Sequence, residues 1–275
     1  MASDLQNGQL TTMGLLRPKT NIDRRSCKRV VPMKVICLGL CRTGTSSLRA
    51  ALFELGLNDV YHMFSVTTEN PLDAELWKEA YDAKYKGIGK PYGKEEFDAL
   101  LGHCMATTDF PGISFAPELL AAYPDAKVIL TVRDNGDVWY DSVFNTIWTV
   151  SNFLRAPPKT LTQRLVQAIL PKPHFNVFEH TPLGNFPVEG RQWYDDWNED
   201  IRTRAKGREF LEFNVKQGWG PLCEFLGVEQ PKAKFPRVND SASFKETHNN
   251  DLLRVGAKVV AALSVLGLAV WLAKK

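Results

Sequence analysis

Lys34-Val-Ile-Cys-Leu-Gly-Leu-Cys-Arg-Thr-Gly-Thr-Ser-Ser-Leu48 decides how the rest of the chain is read. From Val35 to Leu40 every residue but Gly39 is apolar, the pattern of a buried strand, and from Ser46 to Gly56 apolar residues return at helical spacing (Leu48, Leu52, Phe53, Leu55). Between them lies a turn of small and polar residues. Gly39 and Gly44 permit backbone angles closed to bulkier residues, so consecutive N–H groups can converge on an anion at the positive end of the helix, and Arg42 adds a full charge. A strand, a tight loop and a helix start make a phosphate site.

The loop differs from two better-known phosphate binders. Against the Walker A pattern, Gly39 and Gly44 are correctly spaced and Ser46 supplies the hydroxyl, but Thr45 stands where the phosphate-gripping lysine belongs. Against the dinucleotide pattern G-x-G-x-x-G, the second glycine falls on Cys41.

Working outward, the chain alternates strands with helices. Asp59–Phe64 reads as a second strand, Leu72–Tyr85 as a helix with Leu72, Leu76, Trp77 and Ala80 on one face, and Glu95–Leu101 as a short helix. Cys104–Thr108 reads as a strand ending at Asp109-Phe-Pro-Gly112. Ser114–Tyr123 reads as a helix capped by Ser114, and Lys127–Val132 as an apolar strand that delivers Arg133-Asp134. Helices are expected over Asp137–Val150, Thr160–Leu170, Gln192–Gly207 and Gly220–Leu226, with a last strand at Glu209–Phe213. This order predicts an α/β fold on a largely parallel sheet, with ligands gathered beyond the C-terminal strand ends, where Arg42, His62, Asp109 and Arg133 fall. Residues 151–190, rich in Pro, Phe and His, read as a substrate-covering insertion.

Composition bounds the partners. At 275 residues, 44% hydrophobic and 24% charged, the chain can bury a full core, and a net charge of +3 argues against a general nucleic-acid binder while leaving room for a local basic pocket. The five cysteines, Cys27, Cys37, Cys41, Cys104 and Cys223, hold no C-x-x-C pair, so neither a disulfide framework nor a zinc site is indicated.

The two ends differ from the middle. Residues 1–32 are polar, with Arg24, Arg25, Lys28 and Arg29 clustered, and read as a flexible arm ahead of a domain over 33–250. Val259–Ala273 is apolar except for Ser264 and Gly267. As a helix it covers roughly 22 Å, short of a ~30 Å hydrocarbon core, and it comes close when begun at Val255 with Lys258 snorkelling. Residues 255–273 are therefore expected to be a C-terminal single-pass membrane anchor, with the catalytic domain on the cytosolic side.

Taken together, the blocks resemble a known family, the P-loop sulfotransferases, in the branch common in fungi and also found in plants and animals. Gly39–Leu48 resembles its 5′-phosphosulfate loop, and Tyr61-His-Met63 and Asp109-Phe-Pro111 resemble two short motifs that follow it. Tyr123–Asp134 with Trp139-Tyr-Asp-Ser142 is similar to its 3′-phosphate strand and helix. Phe213–Trp219, Pro221–Gly227 and Phe235–Asp240 complete an ordered match over residues 34–250. The resemblance implies a three-layer fold and the cofactor 3′-phosphoadenosine 5′-phosphosulfate (PAPS), without a metal. It also implies transfer of the sulfuryl group to a small-molecule hydroxyl acceptor. Under it Arg42 stabilises charge on the bridging oxygen, Cys41, Thr43, Gly44, Thr45, Ser46 and Ser47 surround the 5′-phosphate, and Arg133 and Ser142 grip the 3′-phosphate. Arg133 and Ser142 are nine positions apart where the family has eight, so Asp134–Asp137 carries an extra residue.

For the general base, His62 and Asp109 are both candidates: histidine has the better free pKa, and a carboxylate needs a raised one. His103 and His174 are fallbacks, and Lys216 and Arg237 approach the cofactor on the same resemblance. Two other readings stay open. One is a P-loop kinase or nucleotidase with Asp109 or Asp134 on magnesium; the other is a non-catalytic, membrane-tethered nucleotide-binding protein.

Overall fold

The computed structural model describes residues 5–6, 9–10, 17–149, 151–152, 156–161, 164 and 185–238. Five strands make one parallel sheet: β1 (Val35–Cys37), β2 (Val60–Tyr61), β3 (Ala106–Thr107), β4 (Lys127–Thr131) and β5 (Phe210–Phe213). Their order is β2-β3-β1-β4-β5, with Val35, Ile36 and Cys37 of β1 opposite Lys127, Val128 and Ile129 of β4. The chain builds one side of β1 through β3 and then crosses to build the other. The direction reverses between β1 and β4, the place where open parallel sheets bind ligands.

The inner strands are apolar because both faces are covered. Val35, Cys37, Ala106, Ile129 and Phe213 pack on α1 (Thr45–Glu54) and α7 (Trp219–Leu226) through Leu48, Ala51, Leu52, Leu222 and Cys223. Their neighbours Ile36, Val128 and Leu130 turn to the other face and are fully buried. There α6 (Phe186–Arg204) lies close enough for Trp197 Nε1 to donate to the Leu38 carbonyl at 2.8 Å. An aromatic block joins α2 (Asp73–Lys86), α3 (Lys94–Leu101) and the turn that leads into α4 (Ala116–Ala122): Trp77 lies 6.3 Å from Phe97 and 5.5 Å from Phe115.

Several elements differ from the sequence reading. The second strand stops at Tyr61, and the chain turns at His62 toward a π-helical turn, Ser65–Glu69. A 3-10 turn, Gly112–Phe115, leads into α4, so Ser114 caps nothing; its hydroxyl meets the Tyr81 hydroxyl at 2.5 Å and its carbonyl accepts from Lys84 at 2.8 Å. Helix α5 (Gly136–Val143) is shorter than expected and passes into a π-helical turn, Phe144–Trp148. Helix α6 starts six residues early, at Phe186, because that ring is fully buried against Trp139 and stacks on Tyr140, while Pro187 suits a first helical turn.

The stretch read as a flexible arm is tied down from Arg17 onward. Arg24 is buried and pairs with Asp73 at 3.0 Å, Asn70 binds the backbone of Ile22 on both sides, and Arg29 reaches Asp98 and the Tyr123 hydroxyl. Burial holds the Asp73 carboxyl up, at about 6, against the pull of Arg24. The basic cluster is thus partly an ion-pairing strap, which charge pattern alone does not reveal.

Contacts divide the chain into two units, Met1–Phe144 with Pro173–Asn239, and Asn145–Lys172 with Asp240–Lys275. In the second, helical bonds run from the Ala156 amide to the Asn152 carbonyl and from Arg164 to Thr160. Among the described residues no helix is long and apolar enough to cross a membrane. The expected anchor at 255–273 lies outside those residues, as do His174, most of the helix expected over 160–170, and Phe153, Phe175 and Phe178 of the expected insertion. The single-pass membrane location accordingly gains no support here.

Candidate active site

The loop after β1 is shaped by close packing. A Cβ on Gly39 would lie 1.8 Å from Thr131 Oγ1, and one on Gly44 would lie 2.7 Å from both methyls of Val215. Gly44 also has φ 99, in the left-handed region, and stands as the N-cap of α1 with no side chain capping the helix. Helix N–H groups left without a cap are donors for an anion.

Not every hydroxyl in the loop is available to a ligand. Thr43 Oγ1 is spent at 2.6 Å on the Leu40 carbonyl and at 2.6 Å on Thr131 Oγ1. Ser47 Oγ accepts from the Val238 amide at 3.0 Å and so ties the 235–238 segment to α1. Thr45 and Ser46 turn instead toward His62 Nε2, each at 3.3 Å. Cys41 is buried, which pushes its thiol far above the ordinary range, and its carbonyl is held by Trp139 Nε1 at 2.8 Å. It contributes backbone, not a nucleophile.

Arg42, Arg133 and Ser142 come together. Arg42 is buried, has φ 67, and donates through Nε to Ser142 Oγ at 3.3 Å, while its carbonyl accepts from Arg133 Nε at 2.6 Å. Asn135 caps α5 through its side chain at the Val138 amide, and Ser142, six residues into that helix, meets the Arg42 side chain. Arg133 forms no salt bridge among the described residues, and burial lowers its pKa, with Asp134 opposing. Asp134 is held by Lys216 Nζ and by Asn214 Nδ2. Arg133 and the backbone of Arg42 are thus joined directly, and Arg42 is joined in turn to Ser142.

On the other side of β1, His62 and Asp109 are buried and adjacent, with Nε2 and Oδ2 3.2 Å apart. The Phe64 amide donates to His62 Nδ1 at 3.2 Å. An amide only donates, so Nδ1 offers its lone pair and the neutral ring carries its proton on Nε2, toward Asp109. Burial, reinforced by the Arg49 charge, keeps the ring well below its usual pKa and therefore neutral. Burial raises the Asp109 carboxyl to about 7, partly offset by the Phe110 amide and by Arg42. Asp109 Oδ1 is buried with no hydrogen-bond partner, as are Thr107 Oγ1 and Thr108 Oγ1 just before it. Asp109 has φ 62, a conformation aspartate tolerates better than most residues.

Sequence reasoning missed several supports. Tyr194, whose hydroxyl accepts the Arg133 amide at 2.9 Å, is one residue of a charged helix with no local signal. Thr131 was legible only as the end of a strand, and Arg49, which binds Glu69 at 2.7 Å beneath His62, as one polar residue among apolar ones. His103 is half-buried beside Cys104, its Nε2 3.2 Å from the thiol, and takes no part in the His62–Asp109 cluster.

A parallel sheet with a glycine-turned, uncapped helix start at its switch point, and two arginines beside it, is the frame of a P-loop phosphate-binding protein. The chain belongs to the sulfotransferase domain family: the family model described as "Sulfotransferase domain" matches residues 34–244. It is 35% identical over 253 residues to "Ava biosynthesis cluster protein M" of Aspergillus versicolor, a match that covers 87% of this chain and 96% of that one. The protein is a sulfotransferase.

Proposed function

We propose that the enzyme moves a sulfuryl group from PAPS to the hydroxyl of a small, hydrophobic acceptor, with Asp109 as general base. The observation that carries this reading is that one imidazole touches both halves of the site: His62 Nε2 is within hydrogen-bond reach of Thr45 and Ser46 in the anion loop and of Asp109. The residues present fit the donor, since the uncapped start of α1 and Arg42 suit a 5′-phosphate, and Arg133 with Ser142 suits a 3′-phosphate. When bound, PAPS supplies the sulfuryl group, and its sulfur–oxygen bond to the 5′-phosphate breaks as the acceptor oxygen bonds to sulfur.

The chain's own groups then have separate tasks. Asp109 Oδ1 takes the proton of the acceptor hydroxyl, a contribution of about 10²–10⁴ in rate. His62 holds the carboxylate by donating from Nε2; its lone pair on Nδ1 is occupied by Phe64, which argues against it as the base. Arg42 and the first N–H groups of α1 meet the charge that builds on the departing phosphate oxygen, an electrostatic term of about 3–4 kcal/mol where one such donor is removed. The name of the Aspergillus versicolor relative, a biosynthesis cluster protein, supports a specialised-metabolite acceptor.

The test is the thermal shift with adenosine 3′,5′-bisphosphate, compared with ADP and with ATP plus magnesium. A shift specific to the bisphosphate without metal supports the reading. A shift only with ATP and magnesium overturns it and returns Asp109 and Asp134 to consideration as metal carboxylates. On sequence alone, we also propose residues 255–273 as a membrane anchor following a domain over 33–250; persistence of membrane flotation after deletion of 255–275 would refute that.

A further inference from the structure

The segment Arg17–Arg24 lies ahead of the family domain, which begins at Lys34, yet Arg17, Thr20, Ile22 and Arg24 all bind the stretch Glu69–Asp73 behind His62. The Arg17 amide donates to Glu69 Oε1 at 2.9 Å and the Thr20 amide to the Glu69 carbonyl at 2.6 Å. The Thr20 hydroxyl lies 3.1 Å from that carbonyl oxygen and 3.0 Å from Asn70 Oδ1. The Ile22 backbone exchanges two bonds with the Asn70 side chain, each 2.8 Å.

The Glu69 carboxylate carries this anchorage inward. Both its oxygens face Arg49 Nη2, at 2.7 and 2.8 Å, in an ion pair buried on both sides. The same guanidinium donates from Nε to the Val60 carbonyl at 2.8 Å and from Nη2 to Ser65 Oγ at 3.4 Å. Ser65 in turn closes the turn on His62: its amide donates to the His62 carbonyl at 2.8 Å, and its Oγ accepts from the His62 amide at 3.3 Å. Within that closed turn the Phe64 amide meets His62 Nδ1, which leaves the ring proton on Nε2, 3.2 Å from Asp109 Oδ2. A second line runs from Arg24 to Asp73, whose Oδ2 accepts from the hydroxyl of Tyr61, the residue before His62.

A buried ion pair is weak evidence for stability, because desolvating both partners offsets their attraction; its better-attested use is to fix one arrangement among several. The arrangement fixed here is the turn His62–Ser65. Arg49 from α1 and Asp109 from beyond β3 are the charged groups facing the imidazole, and Arg42 in the loop faces Asp109.

We propose that the strap Arg17–Arg24, acting through Glu69 and Arg49, is a positioning element of the active site that holds the His62 turn closed and so sets the tautomer and aim of the imidazole toward Asp109. The inference takes from the sulfuryl-transfer reading above only that the His62–Asp109 pair serves the chemistry.

The experiment records the imidazole ¹⁵N resonances of the full-length protein labelled at histidine, with His62→Gln identifying the His62 signals. In the wild type, Nδ1 should resonate as an unprotonated ring nitrogen and Nε2 as a protonated one, and the separation of the two shifts reports the tautomer populations. Thr20→Val, at a half-buried position, should raise the share of the Nδ1–H tautomer about two- to threefold, and Glu69→Gln roughly tenfold, as losses of a neutral and of a charge-assisted hydrogen bond would. Thr20→Ser keeps the hydroxyl and should match the wild type. All three should retain the thermal shift with adenosine 3′,5′-bisphosphate. Tautomer populations unchanged in Thr20→Val and Glu69→Gln, with only Tm lowered, overturn the inference and leave the strap a brace of the fold; a wild-type ring protonated at Nδ1 overturns it as well. If Glu69→Gln does not fold, the Thr20 pair of variants decides. Failure of the base reading would show separately, as unimpaired turnover by Asp109→Asn, and would leave the tautomer result standing.

Discussion

The two halves of the site respond to the same force with opposite sign. Beyond β1 and β4, burial lowers the pKa of Arg133 and presses its guanidinium against the Arg42 carbonyl; beyond β2 and β3, burial raises Asp109 to about 7. A desolvated cation is stabilised by an arriving anion, and a desolvated carboxylate is stabilised by an arriving proton. Under the proposed mechanism, the strand ends on one side of β1 would receive the phosphates and those on the other side the proton. Among the described residues Asp109 Oδ1 has no hydrogen-bond partner and Arg133 forms no salt bridge.

The largest expected effect breaks the proton half alone. Asp109→Asn should lower kcat by about 10²–10⁴ while the thermal shift with adenosine 3′,5′-bisphosphate is retained. If His62→Asn were to lose as much and Asp109→Asn little, the base would be the imidazole. In the wild type, kcat should rise with pH through about 7, as Asp109 loses its proton, and then level off; the rise should be absent from the residual rate of Asp109→Asn. Stability should run the other way. The folded carboxyl binds its proton more tightly than the unfolded one, from 3.8 up to about 7, so its favourable contribution is complete below pH 4 and is lost as pH rises through 7. Melting curves between pH 4.5 and 8 should show that decline in the wild type and less of it in Asp109→Asn.

Next in size is a break in the anion half. Arg133→Ala removes a charge-assisted contact of about 1.5–3 kcal/mol, so the preference for adenosine 3′,5′-bisphosphate over the 5′-monophosphate should fall roughly 10- to 100-fold with affinity for the monophosphate little changed. Equal losses for both nucleotides would mean that Arg133 holds the loop through the Arg42 carbonyl and does not read the 3′-phosphate.

The contrast also separates what the sequence discloses from what it conceals. The anion half is written locally: β1, the two glycines and α1 are contiguous, and strand β4 delivers Arg133 as its apolar run ends. The parallel sheet followed from the same alternation. The proton half depends on where separate segments meet. His62 and Asp109 were both visible as strand-end residues, but the Phe64 amide on Nδ1 and the partnerless Oδ1 that distinguish them depend on a turn and a left-handed φ which no periodicity announces. The short strands β2 and β3 were overextended for that reason, since apolar residues such as Met63 and Phe64 continue past the point where pairing ends. The arm was misread from the opposite cause: Arg24 looks solvated until Asp73, forty-nine positions away, is brought beneath it.

The smallest effect tests whether a loop hydroxyl belongs to the ligand or to the fold. Ser47 stands among the residues that the family resemblance places around the 5′-phosphate, yet its Oγ is buried and accepts from the Val238 amide. Ser47→Ala leaves that amide without its acceptor, at a cost of about 1–2 kcal/mol, and lowers Tm by a few degrees. Bisphosphate affinity should change by less than about twofold, because the backbone N–H at position 47 survives the substitution and is what an anion at a helix start uses. A tenfold loss of affinity with Tm unchanged would transfer Ser47 to the anion half. It would also mean that the 235–238 segment moves off α1 when the donor binds, making that segment part of the site.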